Sequence, residues 1–430
     1  MVLRFRRPKG TEDILPDRSG YWQFLEDRIR DFMSRFGYRE IRTPIFEETE
    51  LFVRSVGEGS DIVTKEMYVF QDRGGRWMAL KPEGTAPVIR AYLEHGLHQQ
   101  GGLVKLFYLS PIFRYEKPQA GRYRQSHQFG VEAIGSGEPS LDVEVIDLAV
   151  SIYKEVGLSD FFLLVNSVGC PRCRPAYREA LLKFARTHRD QLCEDCRRRM
   201  EINPLRILDC KEEGCRAVTA QAPALPDYLC PDCREHFGEV QRGLQDLDIS
   251  YRVEPRLVRG LDYYTRTAFE IVHSGLGAQN AIGGGGRYDG LVEELGGPPT
   301  PAVGFAGGME RTLLALEAEG KLPERDERVE AFVVYVDDLG KGVFPKVLSQ
   351  LRKAGVKADG TYTARSLKAQ LRQANRRGAR CAVILGGEEL RQGKAVVRDM
   401  GRSEQEEVPL EQVLGFVRGT VGQGRDTHTP

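Results

Sequence analysis

Apolar residues recur at helical spacing between positions 20 and 36, where Trp22, Leu25, Ile29 and Phe32 share one face. The rhythm then shortens. Glu40 to Phe46 reads as a strand ended near Pro44, whose ring removes a donor. Met67–Gln71 and Arg76–Leu80 flank Asp72-Arg73-Gly74-Gly75, the signal of a hairpin. Lys105–Arg114 and Ser126–Ile134 form a second pair of strands around a loop rich in Pro, Gly and Arg. Leu141–Val156 returns to helical period. Tyr251–Leu257 is strand-like, and Gly320–Arg328 reads as a charged linker. Beyond it, Glu330–Val336 (strand), Val343–Ala354 (helix), Ser366–Arg377 (helix) and Ala379–Leu385 (strand) make a small α/β domain of about 90 residues. The tail from Gly422 to Pro430 lacks apolar residues and is expected to be disordered.

Adjacent antiparallel pairs with helices outside predict an α+β fold rather than a doubly wound parallel sheet. With 430 residues, two or three domains are expected. Acidic and basic residues balance at 62 each, so net charge does not announce a nucleic-acid partner. No apolar run is long enough for a membrane span, and the start Met-Val-Leu-Arg-Phe-Arg-Arg is not a secretory signal. A soluble cytoplasmic protein is the expectation. In that setting nine cysteines point to metal or free thiols rather than disulfides.

Three separated motifs carry arginine: Phe113-Arg114-Tyr115-Glu116, Leu257-Val258-Arg259-Gly260-Leu261-Asp262-Tyr263-Tyr264, and Gly304-Phe305-Ala306-Gly307-Gly308-Met309-Glu310-Arg311. A guanidinium fork suits phosphate, and three converging ones suit a triphosphate. The plainer alternatives are an Arg114–Glu116 ion pair, an Arg259–Asp262 ion pair and an ordinary glycine turn before a helix. No Gly-x-x-x-x-Gly-Lys-Ser/Thr is present, so a nucleotide site here is not a P-loop.

Together these segments resemble the histidine–tRNA ligases, a family of class II aminoacyl-tRNA synthetases, from about Gly10 to about Gly419. Phe36–Pro44 resembles the family's first motif, at a dimer interface. Phe113–Glu116 and the strand through Glu132 resemble the second, and Gly304–Arg311 the third. Leu257–Tyr264 and Gly284–Gly290 resemble two motifs peculiar to the histidine enzymes. The resemblance implies an antiparallel catalytic core in two parts, 1–168 and 251–325. It also implies a cysteine-rich helical insertion at 169–250, a C-terminal anticodon-binding α/β domain at 330–420, and a tail from 421.

The implied reaction is activation of histidine by ATP with Mg2+, then transfer of histidine to the 3' end of tRNA(His) by a homodimer. Arg114 and Arg259 would be catalytic. Arg114, Glu116, Tyr123 and Arg311 would bind ATP. Glu83, Thr85, Gln128, Glu132, Arg259, Tyr263, Tyr264 and Tyr288 would bind histidine, with Glu132 and Tyr264 reading the imidazole and Arg287 in the pocket wall. Gln119 and Arg124, in the loop Lys117–Arg124, would meet the acceptor end of the tRNA. Two departures stand out: Ser126 occupies the place of a phenylalanine that stacks on adenine, and Lys81 that of an arginine. A regulatory paralogue is the rival reading, but such proteins lack the anticodon domain and degrade the Arg259 motif.

Eight cysteines form the pairs Cys170/Cys173, Cys193/Cys196, Cys210/Cys215 and Cys230/Cys233. Three have the Cys-x-x-Cys spacing of tetrahedral zinc, and two four-cysteine sites would use all eight. The alternative is a metal-free helical insertion. If zinc is present, its removal is expected to melt the insertion while the core keeps forming adenylate. Cys381 lies in an apolar strand and is expected in the core. Finally, Lys368, Arg372, Arg376 and Arg380 recur every four residues, a basic helix face for RNA or simply for solvent.

Overall fold

The computed structural model describes residues 5–57, 60–210, 212–277, 280–324, 328–363 and 365–422. It separates into two compact units, 1–323 and 324–430.

The first unit is built on an eight-stranded sheet. Its strands are β1 (Arg39–Glu40), β5 (Val104–Phe113), β6 (Gln125–Ile134), β7 (Phe161–Ser167), β8 (Tyr251–Val253), β9 (Thr265–His273), β10 (Ala281–Arg287) and β11 (Ala302–Gly308). A separate small sheet holds β2 (Phe46–Glu48), β3 (Tyr68–Gln71) and β4 (Trp77–Leu80). The large sheet runs β1-β5-β6-β11-β10-β9-β7-β8 and is antiparallel except at its two edges. One face is covered by the helices Pro16–Arg35, Pro139–Glu155 and Met309–Ala318, whose buried Leu25, Ile29, Ile146, Tyr153 and Leu316 share a core with Phe129, Val131 and Phe305 of the sheet. The other face is left for chemistry.

Several elements differ from the sequence expectation. The first helix begins at Pro16, because proline fits the first turn, where its missing N–H has no partner to lose. Glu40–Phe46 is not one strand: β1 ends at Glu40, Pro44 interrupts pairing, and Phe46 enters the small sheet. Tyr251–Leu257 keeps ladder pairing only to Val253, after which the Leu257 N–H bonds back to the Glu254 carbonyl at 2.9 Å. Between Ser167 and Tyr251 the described residues form helix, 3-10 turn and loop.

The second unit carries β12 (Ala331–Tyr335), β13 (Ala358–Gly360), β14 (Cys381–Leu385), β15 (Lys394–Asp399) and β16 (Gln405–Pro409) in the order β13-β12-β14-β15-β16. Cys381 is buried in it, as expected. Its first helix runs Asp338–Lys353, five residues earlier than its apolar pattern suggests, because Asp337 caps it by accepting the Gly340 N–H at 2.8 Å. The next helix ends at Arg376, so Arg380 stands outside it and the basic face comprises Lys368, Arg372 and Arg376. Part of the expected linker (325–327) and the tail beyond 422 lie outside the described residues.

Candidate functional site

Strand alternation decides what faces the open side of the sheet. On β5 and β6 the register pairs Tyr108 with Gly130, Ser110 with Gln128 and Ile112 with Ser126. These even-numbered residues share one face with Glu132, while Phe129 and Val131 point into the core. The row continues across the sheet through Ala306, Gly284 and Glu270. Small residues therefore form a floor, and longer side chains rise around it.

Glycine is required twice by close approach. A Cβ on Gly284 would lie 2.7 Å from the Arg259 guanidinium, and one on Gly304 would collide with the Glu132 carboxylate. The third motif's first glycine thus makes room for a neighbouring side chain.

Over this floor lies a cavity of about 780 Å3, a size suited to a nucleotide with a small second substrate. Arg114, Glu116, Tyr123, Gln128, Arg259, Tyr264 and Arg311, all singled out from sequence, line it together with Ser126. Arg122, Glu270 and Glu310 line it as well. Arg114 follows the last residue of β5 and donates to the Pro82 carbonyl at 2.8 Å. It lies 3.8 Å from Glu116, which Arg122 holds more closely at 3.1 Å. Arg259 pairs not with Asp262 but with Glu270 on β9, at 2.7 Å. Glu310 fixes His127 by accepting its backbone N–H at 3.0 Å and meeting its Nδ1 at 2.9 Å.

Behind the cavity sits a closed polar nest. Glu132 is 1% exposed; it accepts the Thr85 hydroxyl at 2.8 Å and the Tyr288 phenol. Tyr288 is thus the phenol bonded to Glu132. Tyr264 belongs to the wall: its ring lies 4.8 Å from Tyr263, which lies 5.5 Å from Tyr288. Glu83 is buried and accepts the backbone N–H groups of Thr85 and Ala86 at 2.6 and 2.8 Å, holding the start of the helix Thr85–Glu94. Burial pushes the Glu132 carboxyl up to about 8, partly opposed by its hydrogen bonds from Tyr288 and Thr85. Among the described residues, the hydroxyls of Tyr108 and Tyr263 are buried there without a partner in good hydrogen-bond geometry, though Thr85 and Glu132 lie near. Buried polar atoms are rarely left so, and a ligand with ring nitrogens or an ammonium would satisfy them.

Arg287 is not in the pocket wall. It is fully buried, ion-paired with Asp142, and also donates to Asp289 at 3.1 Å and the Ser136 carbonyl at 2.9 Å. Lys81 is likewise buried, against Thr43. Gln119 is exposed on its loop, and Arg124 lies over the Tyr115 ring at 3.7 Å. Lys368, Arg372 and Arg376 are exposed on the second unit.

Sequence reasoning missed Tyr108, Glu270 and Arg206. The first was legible from the period of two that joins it to Ser110 and Ile112. The other two depend on folding contacts that no spacing announces.

The eight cysteines gather into two nested groups, Cys170/Cys173/Cys230/Cys233 and, within it in sequence, Cys193/Cys196/Cys210/Cys215, with the sulfurs of each within 4.8 Å of one another. Sulfurs on a tetrahedral zinc stand about 3.8 Å apart, given bonds of about 2.3 Å. The observed separations are 3.7 Å for Cys170–Cys173, 3.9 Å for Cys170–Cys230 and 3.9 Å for Cys193–Cys210. Backbone N–H groups of Cys230 and Cys193 point at Cys173 and Cys215 sulfurs, both at 3.1 Å. The donor set fits a thiophilic cation.

Residues 10–312 match the family described as histidyl-tRNA synthetase, and 330–420 match an anticodon binding domain. A histidine–tRNA ligase of Moorella thermoacetica is 55% identical over 415 residues, covering 96% of this chain and 97% of its own. One from Dehalococcoides mccartyi (strain 195) is 52% identical over 417 residues, covering 97% of this chain and all of its own. The crystal structure of the apo S. aureus histidyl-tRNA synthetase superposes with a TM-score of 0.81 at 40% identity, covering 96% of this chain and 100% of that one. An arginine-lined cavity beside a closed carboxylate–phenol nest, on a chain matched from end to end, places the protein in the histidyl-tRNA synthetase family.

Proposed function

We infer that this chain joins histidine to its tRNA in two steps. ATP and histidine give histidyl-adenylate and pyrophosphate; the acyl group then passes to the terminal ribose of the tRNA. The observation that carries the division of labour is the site's two-part form, an open arginine-lined cavity and a closed nest around Glu132.

In this reading Arg114 and Arg259 meet the α-phosphate from two sides and stabilise charge that develops as the histidine carboxylate attacks. Arg311 and Tyr123 hold the rest of ATP, with Ser126 leaving the adenine one aromatic partner fewer. Glu116, with Glu270 and Glu310, supplies carboxylates to the Mg2+ that accompanies ATP. Glu132 receives a ring N–H of histidine, and the arriving donor favours its ionised form. The Tyr263 hydroxyl gains a partner, Tyr264 and Tyr288 wall the ring, and Glu83, Thr85 and Gln128 take the ammonium. Gln119 and Arg124 face the acceptor end of the tRNA, and Lys368, Arg372 and Arg376 its backbone elsewhere.

The matched anticodon domain and an Arg259 turned to the cavity favour a catalyst over a regulatory paralogue. A homodimer in the cytosol belongs to the same reading. Phe46, Val69, Phe70 and Trp77 of the small sheet are exposed, a surface apolar enough to be covered by a second copy. The cysteine groups would each hold Zn2+, which lends folding free energy to an insertion of helices and turns that contains no strand among its described residues. Histidine-dependent ATP–pyrophosphate exchange, followed by charging of tRNA(His), tests the reaction, and metal analysis of protein prepared without chelator tests the zinc. No exchange with histidine would overturn the first, and a metal-free chain the second.

A further inference from the structure

The insertion does not stand clear of the reaction. Arg199, Arg206, Asp209 and Cys210 line the same cavity as Arg114 and Arg259. The expectation that the insertion could melt while adenylate formation continued therefore conflicts with the geometry.

The segment bearing Arg259 is weakly held by its own backbone. Residues 258–262 belong to no strand or helix, and among the described residues their only backbone–backbone bond joins the Asp262 N–H to the Val56 carbonyl at 3.3 Å. Two insertion side chains provide what the ladder does not. Arg206, 9% exposed, donates to the Gly260 carbonyl, one peptide from Arg259, and its Nε lies 3.7 Å from Asp262. Asn203 donates to the same Asp262 carboxylate at 3.1 Å, while its carbonyl accepts the Leu205 N–H at 3.2 Å. Both residues lie between the two halves of the inner cysteine group. The Cys210 N–H bonds to the Ile207 carbonyl at 3.3 Å, so the turn Pro204–Ile207 and a cysteine of that group form one piece.

We propose that Arg206 and Asn203 are positioning residues for Arg259, and that Zn2+ held by Cys193, Cys196, Cys210 and Cys215 fixes them in place. The inner metal site is then part of the adenylation machinery, acting through Arg206 and Asn203. This rests on reading the cysteine groups as metal sites and the cavity as the adenylation site.

The test is a pair of double-substitution cycles on the full chain. The first readout is kcat for histidine-dependent pyrophosphate exchange. The second is the affinity for a non-hydrolysable sulfamate analogue of histidyl-adenylate, measured by calorimetry. Arg206→Ala should lower kcat by about tenfold or more, as small misplacements of a catalytic group do. Arg206→Lys, which still donates to Gly260, should recover part of it. In an Arg259→Ala background, Arg206→Ala should cost nothing further in either readout. Cys193→Ser with Cys196→Ser should release about one zinc per chain and mimic Arg206→Ala, with no further loss when the two are combined. Arg206→Ala leaves every cysteine intact, so it judges the brace even if the cysteine variants fold poorly. Equal losses in both backgrounds, or full activity in Arg206→Ala, would overturn the brace while leaving the zinc content and the reaction standing. A wild-type chain free of zinc would overturn the proposal together with the metal reading.

Discussion

Glu132→Gln should make the protein more stable and worse at its task, and the two effects should be separable by pH. The folded carboxyl keeps its proton to about pH 8 because burial disfavours the charge, whereas an unfolded glutamate loses it near the usual 4.5. The stability of the folded state is thus fullest below the unfolded value and is lost as pH rises toward the folded one. The interval is about three and a half units at about 1.4 kcal/mol each, a cost on the order of 5 kcal/mol above pH 8. A glutamine has no such term, and its amide can still meet Thr85 and Tyr288. Urea unfolding followed by the fluorescence of Trp22 and Trp77, both in the catalytic unit, should show little difference between the two proteins at pH 5. At pH 8.5 the variant should be more stable by several kcal/mol. Pyrophosphate exchange should show a raised KM for histidine with the KM for ATP nearly unchanged. The same stability gap at both pH values would show that Glu132 is not a buried, protonated acid, and equal changes in both KM values would show that it does not read histidine.

Arg259→Ala should reduce adenylate formation by about 10²–10³ while leaving the fold intact by circular dichroism, since charge placed on a transition state has that worth; near-normal exchange would sink the assignment. Ser126→Phe should tighten ATP by about 1–3 kcal/mol through restored stacking, and an unchanged Kd by calorimetry would mean the adenine is held elsewhere. Replacing Lys368, Arg372 and Arg376 together by alanine should raise the KM for tRNA and flatten its salt dependence while sparing pyrophosphate exchange; unaltered charging kinetics would assign that helix face to solvent.

Much of the site was legible because strands sort side chains by parity. Once 105–114 and 126–134 were read as paired strands, Ser126, Gln128 and Glu132 had to share a face. What could not be read were partners joined only by folding. Arg259 faces Glu270 instead of its near neighbour Asp262 because the chain turns into β9 between them. Tyr288 reaches Glu132 because β10 ends beside β11 and delivers the next residue inward. The four cysteine pairs were visible, but their nested grouping follows from how the insertion doubles back. The helix Asp338–Lys353 begins before its apolar pattern does because Gly340 and Gly342 weaken the helical signal of its first turns, and tertiary packing with the Asp337 cap overrides them.

The position of β11 has a consequence for how the molecule is made. It lies in the middle of the large sheet, between β6 and β10, yet it is the last of the eight strands to leave the ribosome. Until residues 302–308 arrive, β6 and β10 each present an unpaired edge, and the nascent chain holds two half-sheets with no ladder hydrogen bonds between them. Nucleation cannot proceed steadily from the N-terminus, because closing the centre requires a strand about 170 residues downstream of β6. A chain truncated before β11 would therefore lack both Gly304 against Glu132 and a closed sheet, and would carry two sticky edges into solution. Synthesis halted just short of Ala302 should yield aggregates bound by chaperones, whereas chains released after the helix Met309–Ala318 should yield a soluble catalytic unit.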